Sequence, residues 1–360
     1  MLDVRKKAPA ALLAGLALAA AGTIAGAQAQ EEPTIAFVSF TQDITDMYGQ
    51  ILRGMERRLG EAGLSYDLTT AAPAGADDFA GMDRILADIA TLSPDFAVVG
   101  GASFELIEDR IAEIEATGTT AIVIDVIPDT LEHETPVVAL TWVGVDHYQM
   151  GRVGGGYMAE QFCEEGRDPV RIALFHGTAA SEISRLRISG AMDAFAEVTE
   201  ACGISYEVVN EVYADFSRER SYNLMTTVAT AHPDLDLVVG ANSNTALGIM
   251  DALDAGGLLG GQLQILGMGG QLDEMAAICR GDIAAAGFRD AQRMGFDTAD
   301  AILAAVEGRQ ADVPRVTITE LPVLYDCETV FENVPFAMLD NPGFRDLIPS
   351  EIWEEYLARQ

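Results

Sequence analysis

The chain has 360 residues, 49% of them hydrophobic, and its 22 basic and 56 acidic residues give a formal net charge of −34. A surface this acidic repels nucleic-acid phosphates and anionic membranes, so we expect no nucleic-acid partner and interpret the excess charge as a solvated surface. The length suits two domains of ordinary size, and the hydrophobic content is enough for two cores.

The first 29 residues have the layout of a cleavable signal peptide. Residues 5–7 are basic, residues 10–21 are apolar, and residues 27–29 read Ala-Gln-Ala, which suits a signal peptidase. The apolar run is rich in alanine and soon interrupted by glycine, unlike a membrane span. We therefore expect a soluble mature protein that starts near Gln30 and resides in the periplasm.

Short apolar runs alternate with amphipathic stretches along the whole chain. In the first half we predict strands at 34–40, 65–70, 96–100, 121–126 and 139–145, and helices at 47–61, 77–91 and 103–117. In the second half we predict strands at 171–175, 206–213, 237–240, 264–267 and 283–287, and helices at 183–198, 220–231, 245–255, 272–280 and 291–307. Apolar runs between helices are typical of a parallel sheet covered on both faces.

One segment occurs twice. Residues 94–103 (PDFAVVGGAS) recur with one insertion as residues 233–243 (PDLDLVVGANS), and each copy reads as a turn, a buried strand and a helix start. The repeat indicates two α/β lobes built alike. Open α/β sheets bind ligands at the carboxyl ends of their strands, so we expect a ligand cleft between the lobes.

The four cysteines match no zinc or redox motif. An exported protein meets an oxidising compartment, which favours disulfides. The pairs Cys163–Cys202 and Cys279–Cys327 would each tie neighbouring segments of one lobe, although two pairs of buried free thiols remain an alternative. The four histidines show no metal spacing, and we expect no metal and no cofactor.

Several short motifs, weak alone, occur in an order that resembles the periplasmic sugar-binding proteins of the ribose-binding type. The stretches that carry the resemblance are residues 143–146 with Gly151, Gly177 with residues 187–190, and residues 230–234 with Asn242 and residues 246–248. Within that family, residues 266–270 and 280–282 with Arg289 are more similar to the autoinducer-2 periplasmic receptors.

The resemblance implies a type I periplasmic binding fold, with two doubly wound parallel-sheet lobes joined by a three-strand hinge. It places the hinge crossovers near Asp146, Arg289 and Thr319. The N-terminal lobe would hold residues 31–146 and 290–318, and the C-terminal lobe residues 147–289 and 319–360.

The resemblance also implies a set of ligand-binding residues in the cleft. These are Asp43, Thr45, Tyr48, Ser103, Asp125, Arg187, Asn242, Met268 and Arg289. Ribose binders have aspartate in place of Gly269 and glutamine in place of Arg289, whereas the autoinducer receptors have tryptophans in place of Tyr48 and Met268. These departures predict a ligand that differs from both.

Two arginines in a closing cleft need balancing charge, because burying an unpaired charge costs several kcal/mol. An anionic ligand such as a sugar acid or a borate ester could supply it. Alternatively, Asp43 and Asp125 could balance Arg187 and Arg289, so that a neutral sugar or polyol is bound.

Other residues have simpler interpretations. Tyr48, Phe104 and Phe216 are candidates to stack on an apolar sugar face. Asp146 is expected to cap the helix that follows it, and residues 154–156 (GGG) indicate close helix packing rather than a phosphate site.

No residue pattern indicates a catalytic centre, so we expect a binding protein and not an enzyme. The favoured function is capture of a small polar ligand by closure of the lobes, for delivery to the membrane permease of an ABC importer. The alternative is an autoinducer-2-like signal receptor that works with a membrane sensor kinase.

Overall fold

The computed structural model describes residues 3–6, 32–40, 47–75, 77–101, 104–127, 137–319, 321–334, 339 and 342–359. These residues form two sheets, each covered by helices on both faces. We call each sheet with its helices a lobe.

The first lobe contains a seven-stranded sheet. Its strands are β1 (Asp3–Lys6), β2 (Thr34–Val38), β3 (Asp67–Ala71), β4 (Phe96–Gly100), β5 (Thr120–Asp125), β6 (Thr141–Gly144) and β12 (Val316–Ile318). They lie in the order β1-β3-β2-β4-β5-β6-β12, and every pair is parallel except β1 with β3. Its helices are α1 (Met47–Glu61), α2 (Phe79–Leu92), α3 (Glu108–Ala116) and α9 (Ala291–Val306).

The second lobe contains a six-stranded sheet. Its strands are β7 (Val170–His176), β8 (Tyr206–Tyr213), β9 (Leu237–Gly240), β10 (Gln264–Gly269), β11 (Ala285–Phe288) and β13 (Val323–Leu324). They lie in the order β13-β11-β10-β9-β7-β8, and every pair is parallel except β13 with β11. Its helices include α4 (His147–Glu165), α5 (Glu182–Cys202), α6 (Arg218–Ala231), α7 (Ser243–Ala255) and α8 (Leu272–Arg280).

The middle residues of the central strands are apolar because both faces of these strands are buried. In β4, Phe96 and Val98 face the core beneath α1 and α9, whereas Ala97 and Val99 face the core beneath α2 and α3. Successive side chains of a strand point to opposite faces, so in a sheet with helices on both sides the polar residues lie toward the strand ends, as Asp125 does in β5.

The chain passes from one lobe to the other three times, between β6 and α4, between β11 and α9, and between β12 and β13. The predicted fold class of two parallel-sheet lobes joined by three connections is therefore confirmed. The antiparallel strands β1 and β13, which the sequence did not indicate, lie at sheet edges.

Among the described residues, three further helices, which were not predicted, belong to the second lobe. They are α10 (Cys327–Asn333), α11 (Pro342–Arg345) and α12 (Ser350–Arg359). Phe331, Trp353 and Tyr356 pack together against its core. The disulfide Cys279–Cys327 joins α10 to α8, and Cys163–Cys202 joins α4 to α5, so both predicted pairings are confirmed.

Glycines allow α4 and α5 to pack closely. A Cβ atom on Gly155 would lie 2.1 Å from the carbonyl oxygen of Ala191, and one on Gly190 would lie 2.0 Å from that of Tyr148. The adjacent Gly156 points elsewhere, and its Cβ would meet no atom closer than 3.8 Å. The predicted packing role is thus confirmed for Gly155, whereas Gly156 takes no part in the contact.

We predict that Gly155→Ala destabilises the chain by at least about 2 kcal/mol, because the new methyl group overpacks a helix contact made by backbone. Gly156→Ala is the matched control, and it should be neutral or stabilising by up to about 1 kcal/mol, because alanine is the better helix former. Urea unfolding of the two variants measures both effects. Equal stabilities would contradict the packing role of Gly155.

Candidate functional site

A cleft of about 770 Å³, partly open to solvent, lies between the carboxyl ends of the two sheets. The first lobe and the helix that enters it contribute Phe40, Met47, Tyr48, Gln50, Asp125 and Ala291 to the lining. The second lobe and the segment after β11 contribute Ser181, Ile183, Arg187, Phe216, Asn242, Ser243, Asn244, Gly269, Gly270, Gln271 and Arg289.

Five of the predicted ligand-binding residues line this cleft, namely Tyr48, Asp125, Arg187, Asn242 and Arg289. Asp43, Thr45 and Ser103 lie outside the described residues. Met268 is placed differently: its side chain is fully buried in the core beneath α4 and α5 and is not among the described residues that line the cleft.

A buried ion pair joins the lobes at the floor of the cleft. Asp125 ends β5 with a left-handed backbone (φ +70°), and its Oδ1 accepts a hydrogen bond of 2.7 Å from Nη1 of Arg289. Tyr48 donates a longer bond of 3.3 Å to Oδ2. Burial raises the pKa of Asp125, but Arg289 and His147 outweigh it and hold the pKa well below its usual range. Asp125 is therefore ionised.

Arg187, from α5, is only 1% exposed and is held by neutral groups. Its guanidinium donates to the carbonyl oxygens of Ala241 (2.9 Å) and Met268 (3.5 Å) and to Nδ1 of His147. It forms no ion pair with a carboxylate of the described residues. Burial, followed by the charge of Arg289, lowers its pKa to about 9. Most of its donors are used within the protein, which leaves only part of the guanidinium for a ligand.

His147 connects Arg187 to Asp125. Its Nε2 lies 2.9 Å from the carbonyl oxygen of Asp125, and its Nδ1 lies 3.3 Å from both Nε and Nη2 of Arg187. Arginine only donates, so Nδ1 must accept and Nε2 carries the proton. Burial and Arg187 lower the pKa of His147, and the imidazole is therefore neutral.

Sequence reasoning did not find His147, because it tested the histidines for metal spacing and considered only His176 for a hydrogen bond to a ligand. The sequence signal that could have indicated His147 is its position directly after the helix cap Asp146, at a crossover between the lobes. His176, which lies at the carboxyl end of β7, is not a lining residue. Its Nε2 lies 2.8 Å from Oε1 of Glu211, and its ring stacks on that of Tyr213.

Asp146 and Asn242 both cap helices. Asp146 accepts a hydrogen bond of 2.8 Å from the backbone N–H of Gln149, which confirms the predicted cap of α4. Asn242 caps α7 by accepting from the N–H and hydroxyl of Thr245. Because Asn242 also lines the cleft, its amide nitrogen remains for a ligand.

Glu274, which was not predicted, lies buried beneath the second lobe's part of the lining. Its Oε2 accepts from the hydroxyl of Ser243 (2.6 Å) and the N–H of Gly270 (3.0 Å). A Cβ atom on Gly269 would lie 1.7 Å from the hydroxyl oxygen of Ser243, so this pair requires glycine there. Burial raises the pKa of Glu274 to about 7.

Direct contacts hold the lobes closed around the cleft. The rings of Phe40 and Phe216 meet edge to face with centroids 6.4 Å apart, and Gln50 donates to the carbonyl oxygen of Gly270 (3.4 Å). Ile183 packs into the apolar core of the first lobe. Of the three predicted stacking residues, Tyr48 and Phe216 line the cleft, whereas Phe104 is buried in the first lobe's core.

A family model described as a periplasmic binding protein domain matches residues 35–310. The chain belongs to this family. It is 29% identical to the ribose import binding protein RbsB of Escherichia coli (strain K12) over 164 residues, which cover 45% of this chain and 51% of that one. The chain therefore matches about half the length of this relative.

Solved structures of other family members share the fold. An ABC transporter periplasmic solute-binding protein from Actinobacillus succinogenes 130z with bound D-allose has a TM-score of 0.69 and 20% identity, covering 82% of this chain and 98% of its own. A solute-binding protein from Bacillus halodurans C-125 with bound myo-inositol has a TM-score of 0.69 and 18% identity, covering 84% and 96%. Within the described residues of this family member, no helix is long and apolar enough to cross a membrane.

The buried Glu274 predicts a pH-dependent stability. Its pKa is raised from the ordinary 4.5 to about 7 in the folded chain, so its contribution to stability is complete below pH 4.5 and is lost as the pH rises through 7. Relative to Glu274→Gln, the wild type should lose up to roughly 3 kcal/mol between pH 4.5 and 8. Urea unfolding at both pH values checks this, with Glu160→Gln on the exposed side of α4 as control. A pH-independent difference would contradict the raised pKa.

Proposed function

We propose that the chain captures a neutral sugar or polyol between its lobes in the periplasm and delivers it to the membrane permease of an ABC importer. The observation that carries the proposal is a closed cleft in which both lobes contribute polar and aromatic side chains to one cavity. Such a ligand would bridge the lobes and stabilise the closed state in proportion to the contacts that only this state provides.

The charges of the cleft favour a neutral ligand. Arg289 is paired with Asp125 inside the protein, so this arginine needs no ligand charge. Two polar atoms of the lining have no hydrogen-bond partner among the described residues, namely Oε1 of Gln50, an acceptor, and Nε of Arg289, a donor. A hydroxyl group both donates and accepts, and a polyhydroxylated ring can therefore satisfy both kinds of atom.

The relatives support the same ligand class. The name of RbsB gives ribose, and the two solved structures hold D-allose and myo-inositol. All three are uncharged rings or chains of hydroxyl groups. Tyr48 and Phe216 provide the apolar surface on which the C–H face of such a ring can pack.

A sugar acid is the second candidate, since Arg187 forms no ion pair within the described residues. A ligand carboxylate could supply the missing negative charge. A neutral ligand leaves Arg187 balanced only by carbonyl groups, His147 and the more distant charges of Asp125 and Glu274.

Residues 1–29, as a signal peptide, would direct export and then be removed. The four residues of β1 fall within this stretch, so in the mature protein β3 would be the edge strand of the first sheet. The proposed activity is binding and release of a ligand, and it requires no covalent bond to be made or broken.

The proposal predicts that D-ribose, D-allose or myo-inositol raises the melting temperature of the purified chain, because a ligand that binds only the folded state stabilises it by mass action. The corresponding sugar acids are the second arm of the screen. A shift with acids alone would favour the sugar-acid candidate, and no shift with either class would overturn the proposal.

Phe216→Ala should raise the Kd of the ligand found in this way about tenfold, because it removes an aromatic face from the cleft. Tyr213→Ala is the matched control. Tyr213 ends the adjacent strand β8, is 44% exposed and is not a lining residue, so its removal should leave Kd unchanged. Isothermal titration of both variants makes the comparison. Equal Kd values for Phe216→Ala and wild type would place the ligand elsewhere.

A further inference from the structure

His147 occupies the junction of the two lobes. It is the first residue of α4, directly after the crossover from β6, and it is 4% exposed. It does not line the cleft, yet it is hydrogen-bonded to two charged residues that do, one from each lobe. Its role in the ligand site rests on the proposed function, because it requires that the cleft bind a ligand.

Toward the first lobe, His147 stabilises an unfavourable backbone. Asp125 has φ +70°, a left-handed conformation that costs a residue with a side chain roughly 1 kcal/mol or more. The N–H at Nε2 of His147 donates to the carbonyl oxygen of this residue at 2.9 Å. This bond compensates the cost and keeps the Asp125 carboxylate directed at Arg289, 2.7 Å away.

Toward the second lobe, His147 is an acceptor for Arg187. Both Nε and Nη2 of Arg187 lie 3.3 Å from Nδ1 of His147, and the carbonyl oxygens of Ala241 and Met268 take Nη1. Without Nδ1, one side of the buried guanidinium would lose its only acceptor among the described residues.

We propose that His147 is a positioning residue of the ligand site, which as a neutral imidazole holds Asp125 and Arg187 in register across the closed cleft. Its two nitrogens act separately: Nε2–H donates a hydrogen bond to Asp125, and Nδ1 accepts hydrogen bonds from Arg187. The residue thereby sets ligand affinity without touching the ligand.

The charged groups that face His147 make this arrangement sensitive to acid. They are Asp125 at the end of β5, Arg187 on α5 and Arg289 after β11. Protonation of Nδ1 removes the acceptor for Arg187 and places a third cation beside two arginines and one carboxylate. Ligand affinity therefore falls as the pH is lowered, by at most about tenfold per pH unit for a single proton.

Two substitutions separate the two tasks. In His147→Asn, the amide oxygen lies near the position of Nδ1 and keeps an acceptor for Arg187, whereas in His147→Gln the amide nitrogen lies near Nε2 and keeps the donor to Asp125. We expect the Asn variant to bind within about threefold of wild type and the Gln variant to bind about ten- to a hundredfold more weakly, the usual effect of leaving a buried charged donor without its acceptor.

Isothermal titration with D-ribose, D-allose and myo-inositol from pH 5 to 8 measures these affinities. Wild type should lose affinity toward pH 5, and both variants should lack this slope. His176→Asn is the matched control and should retain the slope. Repeating the series in the Glu274→Gln background removes the contribution of Glu274, whose pKa burial raises to about 7.

A double-mutant cycle tests whether His147 acts through Arg187. The effect of His147→Gln should largely disappear in an Arg187→Met background, since the donor to be held is then absent. Additive effects, or a Gln variant that binds like wild type with an unchanged pH slope, would overturn the proposal while leaving sugar binding intact.

NMR of ¹⁵N-labelled imidazoles in the ligand-free chain gives a result that does not depend on sugar binding. We expect His147 to be neutral with its proton on Nε2 at pH 6, and its Nδ1 signal to shift in Arg187→Met. A protonated His147, or the tautomer with its proton on Nδ1, would refute its positioning role. If no sugar or sugar acid binds, the proposed function fails, and the NMR result alone decides whether His147 holds Arg187 and Asp125.

Discussion

The ion pair between Asp125 and Arg289 is the interaction on which the closed arrangement depends, because it joins the end of a strand in one lobe to the crossover that leaves the other. Both side chains are nearly inaccessible, so each would be costly to bury alone. The pair is tolerable because Tyr48 and His147 complete its hydrogen bonds. The backbone of Asp125 takes a strained conformation to aim its carboxylate, which shows that position matters more here than local stability.

Two further contacts across the cleft are of modest strength. Phe40 meets Phe216 edge to face, and the hydrogen bond from Gln50 to Gly270 is long, at 3.4 Å. Contacts of this kind contribute roughly 0.5–1.5 kcal/mol each. An open state would lose them and regain hydration of the cleft. A ligand that contacts both lobes adds contacts to the closed state that the open state lacks.

The sequence predicted the fold well because apolar periodicity is a local property that survives into the structure. The strands around Val98 and Val238 were recognised as buried, and both disulfides were paired correctly. His147 and Glu274 were missed for the opposite reason. Their hydrogen-bond partners lie 22 to 40 residues away in the chain, or in a loop that contains glycines. No spacing of residues in the sequence predicts such contacts. The C-terminal helices were missed as well. Their aromatic residues are separated in the sequence and come together only in the folded chain.

Gly269 shows why a binding site cannot be carried over from a family one position at a time. Ribose binders have an aspartate there, and its absence alone suggests that the cleft lacks a carboxylate in this sector. The structure instead brings the carboxylate of Glu274 up from α8, into space that Gly267 and Gly269 leave open, since Cβ atoms there would lie 2.1 Å and 3.0 Å from its oxygens. This carboxylate binds Ser243 and the N–H of Gly270, so it shapes the loop and does not extend into the cleft. The ligand would therefore meet backbone and the neutral side chains of Asn244 and Gln271, an environment suited to hydroxyl groups.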